Sequence, residues 1–188
     1  GYSKAMLKYK TNKTIEQTTQ VITGLITAFA NQNHITGAVT MFPNEIYSEE
    51  PEDIELFKAL GIIDSQMLDS NGKLTHPLGG KFFLMGAVND FTIILYDLPR
   101  EACIALATTD WANTSIAVNN RKTSFNAIAP DCLNPEDSDT WTDAGAGWAL
   151  GCKRDGGIPL TPDKAALGCS CNNATCTIEL LFHLIDFM

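Results

Sequence analysis

Residues Tyr2 to Gln32, YSKAMLKYKTNKTIEQTTQVITGLITAFANQ, decide the fold of this 188-residue chain. Apolar side chains recur there at helical spacing, on a stripe made of Ile15, Ile22, Ile26 and Phe29, with Thr18, Val21, Leu25 and Ala28 beside it. Met6, Leu7 and Tyr9 continue the apolar pattern upstream, among lysines. At ~1.5 Å per residue the helix would be about 45 Å long, more than a small domain needs for its own core. The pattern predicts one long amphipathic helix that projects from the domain or joins other chains.

The segment Lys10 to Lys13 leaves a second interpretation of this stretch open. Thr14-Ile15-Glu16-Gln17 fits a capping box, which would start a new helix at Thr14. The continuous helix is favoured over this break. Because the pattern opens at Gly1 without an initiator Met or a leader, we also expect that the native protein carries an N-terminal piece before it.

Composition points to one well-packed domain over residues 1–188, since 45% of the residues are hydrophobic. The net charge of −9 argues against a nucleic-acid partner. The charge is unevenly distributed, because the first 13 residues carry four lysines and no acid, whereas the remainder holds 9 basic and 22 acidic residues. Either this is a solvated helix face, or the basic stem of one copy meets the acidic body of another.

Six cysteines are present, an even number that favours disulfides and an oxidising compartment outside the cytoplasm. They are Cys103, Cys132, Cys152, Cys169, Cys171 and Cys176. No stretch reaches the ~18 consecutive apolar residues of a membrane span.

The remaining sequence predicts an α+β fold built around an antiparallel sheet. The first predicted elements are a strand or loop over His34–Phe42, a helix from Pro51 to Gly61 and a hairpin over Lys81–Tyr96 that turns at Asn89-Asp90. The helix has Ile54, Phe57 and Leu60 on its apolar edge. The later elements are a helix over Ala102–Thr108, a strand over Ser115–Val118, a long loop over Asn126–Gly157, a helix from Thr161 to Gly168 and a final strand over Thr177–Phe187. Cys103 is expected to point inward from its helix.

Catalytic and metal motifs are not recognisable, so neither an enzyme nor a cofactor is expected. His34, His76 and His183 stand in no nucleophile motif. A zinc site at Cys169, Cys171 and Cys176 with His183 lacks the paired two-residue spacing of zinc ribbons and fingers. The glycines of Gly145–Gly151 lack dinucleotide-binding spacing and are interpreted as loop.

An acidic, Trp-containing loop is the main surface candidate, made of Asp137, Asp139, Trp141, Asp143 and Trp148. With Glu136, its acids suggest calcium but fail the EF-hand pattern, so a solvated acidic loop is favoured. Its Trp residues suggest a sugar platform, which makes a secreted carbohydrate-binding or adhesin module the alternative function. A glycoside hydrolase using the carboxylates has the least support.

Three pieces of the chain together resemble a known family. They are the Lys-dotted N-terminal helix, the segment LPREACIALAT at Leu98–Thr108, and IPLTPDKAALGC at Ile158–Cys169 followed by a strand. This order resembles the type IVb class of bacterial type IV pilins. The most specific feature is an Ala-Cys inside a short helix together with a Cys just before the last strand.

The resemblance implies a pilin fold, in which a long N-terminal helix is laid against an antiparallel sheet, and an extracellular pilus in which these helices bundle. Residues 1–32 would be the C-terminal half of the assembly helix, which would pack through Met6, Leu7, Tyr9, Ile15, Ile22, Ile26 and Phe29. A hydrophobic segment upstream would anchor the subunit in the inner membrane before assembly. The implied partners are other pilin subunits, the assembly machinery and a host-cell or glycan receptor. A minor pilin or a pseudopilin of a secretion system is a further alternative.

The resemblance also implies a disulfide between Cys103 and Cys169, which closes a variable region over residues 103–176. Cys171 with Cys176 and Cys132 with Cys152 would complete the set. These two extra pairs depart from the usual family pattern, and six cysteines allow 15 connectivities.

Overall fold

A computed structural model describes residues 3–30, 46–87, 90–111, 114–119, 142–143, 148–150, 162–170 and 175–183. The α-helices in these ranges are α1 (Lys4–Leu25), α2 (Pro51–Ala59), α3 (Arg100–Ala107) and α4 (Pro162–Gly168). The strands are β1 (Ile46–Tyr47), β2 (Phe82–Ala87), β3 (Asp90–Leu98), β4 (Thr114–Asn119), β5 (Thr142–Asp143), β6 (Trp148–Leu150) and β7 (Cys176–His183). The expected α+β class is confirmed, whereas the predicted element at 34–42 lies outside the described residues.

Helix α1 is continuous through Lys10 to Lys13 and passes directly into a π-helical turn, Ile26–Ala30. Its N-cap is Ser3, whose side chain accepts a hydrogen bond from the Met6 amide at 3.2 Å. Thr14 is an interior residue rather than a cap, because its hydroxyl donates to the carbonyl of Lys10, one turn back, at 2.8 Å. The alternative of a new helix starting at Thr14 is therefore wrong.

The seven strands of the described ranges form one sheet in the order β1-β2-β3-β7-β4-β6-β5, and each neighbouring pair is antiparallel. The last of these strands in sequence order, β7, lies between β3 and β4. Glu179 on β7 is registered with Ile94 of β3 on one side and Ala117 of β4 on the other. The predicted final strand is thus confirmed over Cys176–His183 and lies at the centre of the sheet.

The hairpin between β2 and β3 turns one residue earlier than the sequence indicated. Ala87 pairs with Asp90, so Asp90 belongs to β3 and the connection consists of residues 88–89. Asn-Asp is a weaker turn dipeptide than Asn-Gly, and the turn position was correspondingly weakly specified.

The prediction of a long loop over 126–157 is wrong for the part that the structure describes. Trp148–Leu150 forms β6 against β4, and Thr142–Asp143 forms β5 against β6. The interpretation of Gly145–Gly151 as loop fails for the same three residues of β6. Strands of two and three residues are too short to show an alternating pattern in the sequence.

The core lies between one face of the sheet and the helices. Phe29 at the end of the first helix contacts Phe91 of β3, with ring centroids 5.5 Å apart. Gly24 lets α1 approach the chain after α2, because a Cβ there would lie 2.9 Å from the Cα of Ile62. Helix α2 buries Ile54 and Phe57 as predicted.

Leu60 departs from the predicted apolar edge of α2, since its side chain is 42% exposed. It is the C-cap residue of α2, and Gly61 follows it with φ +72°, which turns the chain away from the helix axis. Leu60 therefore lies beyond the last buried turn of the helix and faces outward.

The buried face of α1 is rotated from the predicted stripe. Thr11, Thr14 and Thr18 are buried in its N-terminal part, whereas Ile15 and Ile26 are only half-buried. The Thr18 hydroxyl donates to the Thr14 carbonyl at 2.8 Å, so its burial leaves no donor unpaired. In the N-terminal part of α1, threonines therefore face the domain, whereas Met6 and Tyr9 face outward.

Candidate functional site

The candidate site begins with the segment Lys4–Lys13, here called the stem. Of the seven residues expected to pack in an assembly, two are buried in the core of their own domain and three pack partly against it. The buried pair is Ile22 and Phe29, and the half-buried residues are Leu7, Ile15 and Ile26. Met6 and Tyr9 are 45% and 64% exposed. Within the described chain, they are the members of the set that present a large apolar surface to the outside.

Met6, Tyr9 and Lys13 follow one another at helical intervals of three and four residues, so they share one side of the stem. Lys13 forms an exposed ion pair with Glu16, with Nζ and Oε1 3.6 Å apart. Such a pair contributes little to stability in water. The outer side of the stem therefore combines apolar and cationic groups.

A shallow cleft of about 400 Å³ lies between the stem and α3. Its lining includes Lys4 and Lys8 of the stem and Glu101 and Ala105 of α3, with Leu7 and Thr11 between them. The cleft marks where the N-terminal part of α1 rests on the domain.

Helix α2 carries an acidic and apolar outer surface that the sequence analysis missed. Glu52 and Glu55 are exposed there, and Leu56 and Leu60 are 39% and 42% exposed. The signal was available, because Leu56 and Leu60 are four residues apart and lie off the face formed by Ile54 and Phe57. The predicted apolar edge of this helix included Leu60 but not Leu56.

A groove of about 560 Å³ adjoins this surface, between the outer side of α1 and the end of α2. It is lined by Glu16, Thr19, Gln20, Thr23, Gly24, Thr27, Leu60 and Gly61. The groove therefore offers an apolar wall at Leu60 and an acid at Glu16.

The disulfide expected between Cys103 and Cys169 is confirmed. It joins α3 to the residue after α4, with the two Cα atoms 5.9 Å apart and both side chains buried. Cys176 at the start of β7 is disulfide-bonded as well, and its Sγ lies 3.5 Å from the Cys169 carbonyl oxygen. Cys132, Cys152 and Cys171 lie outside the described residues, so the two further pairings stay predictions.

The sulfur atoms of Cys103, Cys169 and Cys176 all lie within 4.8 Å of one another. This spacing suits a shared ion, but sulfur binds metal as a thiolate. Cys103 and Cys169 are consumed by their mutual disulfide. In the oxidised protein these three cysteines form disulfide bonds and are not available as metal ligands.

Glu179 is a buried acid at the centre of the sheet that the sequence analysis did not single out. Its side chain is 2% exposed, and neither carboxylate oxygen accepts a hydrogen bond from the described residues. Burial raises the pKa of Glu179 to about 7. The pKa of Tyr96 on β3 is raised by its own burial and by the charge of Glu179. The alternation of residues along β7 predicts which side chains share a face with Glu179, but it does not predict that this face of the sheet is buried.

His76 is a structural histidine with both ring nitrogens engaged. Its Nδ1 accepts from the Leu78 amide at 3.2 Å, which assigns the proton to Nε2, 2.6 Å from the Tyr96 carbonyl oxygen. Burial lowers the pKa of His76 and favours this neutral form. Gly80 is required beside it, because a Cβ there would lie 2.1 Å from the Tyr96 carbonyl oxygen.

Two members of the predicted surface loop fall on the outer edge of the sheet. Asp143 lies in β5 and pairs with Ala149 of β6, next to Trp148. Asp137, Asp139 and Trp141 lie outside the described residues, as do Glu136 and His34.

None of the helices in the described ranges is both long enough and apolar enough to cross a membrane. Comparison with known proteins finds no protein-family model, no curated protein and no solved structure that matches the chain.

Proposed function

We propose that this chain is a structural subunit of an extracellular type IV pilus, of the type IVb class, that assembles through its N-terminal helix. The observation that carries the proposal is that the two halves of this helix differ in how far they are buried. Its C-terminal half buries Val21, Ile22 and Leu25 in the core of the domain, whereas the stem exposes Met6 and Tyr9.

The energetics of the stem support an assembly role. Helices gain most of their stability from tertiary packing of an amphipathic face. The stem buries Thr11 fully and Leu7 partly, which is little apolar area for three turns of helix. Packing against other subunits would bury Met6 and Tyr9, at about 25 cal/mol for each Å² of apolar surface removed from water.

The disulfide between Cys103 and Cys169 supports the same proposal. It is the one pairing that the resemblance to type IVb pilins implied residue by residue, and it is present in the structure. It ties α3 to the end of α4, close to β7, the central strand of the sheet. A staple at this place resists separation of the sheet from its helices when a filament is pulled.

In this proposal the subunit is held in the inner membrane by a segment upstream of Tyr2 before assembly, and its partners afterwards are further subunits. The β5–β6 edge, with Asp143 and Trp148, lies at the end of the sheet farthest from β1. We assign the contact with host cells or glycans, or the aggregation of filaments, to the loop that carries this edge.

Deleting the gene in the cells that carry it tests the proposal. We expect that the surface filaments seen by electron microscopy disappear and that the wild-type gene restores them. A gene encoding Met6→Glu with Tyr9→Glu should not restore them, whereas Ser70→Glu, which places a new acid at an exposed turn, should. Filaments that persist in number and composition without the gene would contradict the proposal.

A further inference from the structure

The exposed large apolar residues of the described chain form two pairs, each on a different helix. Met6 and Tyr9 lie on the stem, and Leu56 and Leu60 lie on α2 and its C-cap. Single exposed apolar residues are common on protein surfaces, whereas contiguous exposed apolar residues are candidates for a contact surface. The two pairs differ in their electrostatic surroundings.

The first surface, the stem patch, consists of Met6, Tyr9 and Lys13. It belongs to a segment that contains four lysines and no acid from residue 4 to residue 13. The ion pair between Lys13 and Glu16 is exposed on both sides, so it can be exchanged for another carboxylate at little cost. The stem patch is therefore an exposed apolar surface surrounded by lysine side chains.

The second surface, the α2 patch, consists of Glu52, Glu55, Leu56 and Leu60. Glu52, Leu56 and Leu60 follow at intervals of four residues, so the acid continues the line of the two leucines. Lys58 lies 3.2 Å from Glu55 in an exposed pair. The groove of about 560 Å³ opens beside Leu60. The α2 patch is therefore an apolar surface beside a groove, with acidic side chains next to it.

We propose that the stem patch of one copy docks on the α2 patch of the next copy. Met6 and Tyr9 contact Leu56 and Leu60, Tyr9 enters the groove beside Leu60, and Lys13 faces the α2 acids. The occupant is a second copy of this chain, since the chain itself carries the complement of each surface. The inference rests on the proposed function and names the contact by which subunits of the filament meet.

The apolar pairs of the two patches are too far apart to meet within one copy, although Glu16, the ion-pair partner of Lys13, also lines the groove. The contact between Gly24 and Ile62 fixes the end of α2 beside the C-terminal part of α1. Tyr9 lies 15 residues upstream of Gly24 on the same helix, which is roughly 22 Å at 1.5 Å per residue. The contact is therefore intermolecular and joins unlike surfaces, so it propagates into an open filament unless its rotation closes a ring.

Site-directed cross-linking tests the contact in the 188-residue chain. Tyr9→Cys and Leu60→Cys are made as separate variants, mixed, and treated with a short bismaleimide at low salt. We expect a cross-linked dimer from the mixture and a ladder of oligomers from a chain that carries both substitutions. The wild-type chain and each single variant alone should stay monomeric, which also controls for the native cysteines.

Charge reversal provides the second measurement. Glu52→Lys with Glu55→Lys in the Leu60→Cys partner should abolish the cross-linked dimer, and Lys13→Glu in the Tyr9→Cys partner should partly restore it. Glu52 and Glu55 are exposed and the Lys13 side chain is 37% exposed, so circular dichroism should show an unchanged fold.

Two results would overturn the inference. A dimer from Tyr9→Cys alone would show a symmetric stem-to-stem contact, and no cross-link from the mixture would show that the patches do not meet. Neither result decides the proposed function, because gene deletion tests that separately. Filaments that are present in cells but yield no cross-link between positions 9 and 60 would refute this contact alone.

Discussion

Cys103 of α3 and Cys169 after α4 are joined by a buried disulfide although 66 positions separate them in the sequence. The bond closes a large loop that contains β4, β5 and β6. Because a cross-link restricts the unfolded chain, its contribution to stability grows with the length of the loop that it closes.

Removing this disulfide should destabilise the domain strongly. For Cys103→Ala with Cys169→Ala we expect the free energy of unfolding to fall by about 4 kcal/mol, the value for a loop of this size. Guanidinium denaturation of both proteins without reductant measures the change. Ser170→Ala, an exposed neighbour, is the control and should stay within about 0.5 kcal/mol of wild type. Equal midpoints for wild type and the double variant would contradict a structural role for the bond.

The buried carboxyl of Glu179 should make stability fall as the pH rises. Burial raises its folded pKa from 4.5 to about 7, so between these values the folded protein holds a proton that the unfolded chain has released. The loss is fully developed above pH 7 and amounts to roughly 3 kcal/mol, at about 1.4 kcal/mol for each pKa unit.

Glu179→Gln removes this dependence, and the comparison of wild type with Glu179→Gln by urea denaturation from pH 4.5 to pH 8 measures it. His76 contributes the opposite trend, because burial lowers its pKa and its folded neutral form is lost as the pH falls. Both proteins contain His76, so its contribution cancels in the difference. Parallel curves across this pH range would mean that Glu179 is ionised or partnered in the folded state.

Gly80 should tolerate no side chain. In Gly80→Ala the new Cβ would lie 2.1 Å from the Tyr96 carbonyl oxygen and 2.5 Å from the His76 Nε2 atom, so the hydrogen bond between them must break. We expect a loss of about 3 kcal/mol in the free energy of unfolding, at the upper end for overpacking. Gly72→Ala is the comparison, since its Cβ would meet nothing and only its positive φ is strained. A smaller loss at position 80 than at position 72 would contradict the close approach.

The first helix should separate into a stability part and an assembly part. Phe29→Ala should cost about 3 to 5 kcal/mol, because Phe29 packs against Phe91 in the core. Met6→Ala and Tyr9→Ala should each change stability by no more than about 0.5 kcal/mol, since both side chains face outward. Thermal or chemical denaturation of the three variants gives the comparison. A large loss at Tyr9 would place that residue in the fold rather than in an interface.

Local sequence patterns were sufficient for much of this fold. The apolar period of residues 15–29 predicted the first helix, Pro51 predicted the start of α2, and the cysteine in a short helix predicted the disulfide partner of Cys169 through the resemblance. Each of these signals lies within a few residues of the element that it specifies, where propensity and capping act directly.

The features that the sequence did not reveal depend on contacts between distant segments. Strands β5 and β6 are too short to show a period in the sequence. Strand β6 forms on the edge that β4 offers, and β5 pairs in turn with β6. Glu179 is buried because β7 lies in the middle of the sheet, which only the strand order determines. Leu60 is exposed because the chain turns away from the helix axis at Gly61, which the apolar spacing of α2 does not indicate.

The most direct test of the central claim is the structure of filaments sheared from cells that carry this gene, determined by cryo-electron microscopy with mass spectrometry of the same sample. The account predicts that this chain is the repeating subunit, with α1 in the filament core and Met6 and Tyr9 buried between copies. Filaments that lack the chain, or that contain it with α1 facing solvent, would contradict it.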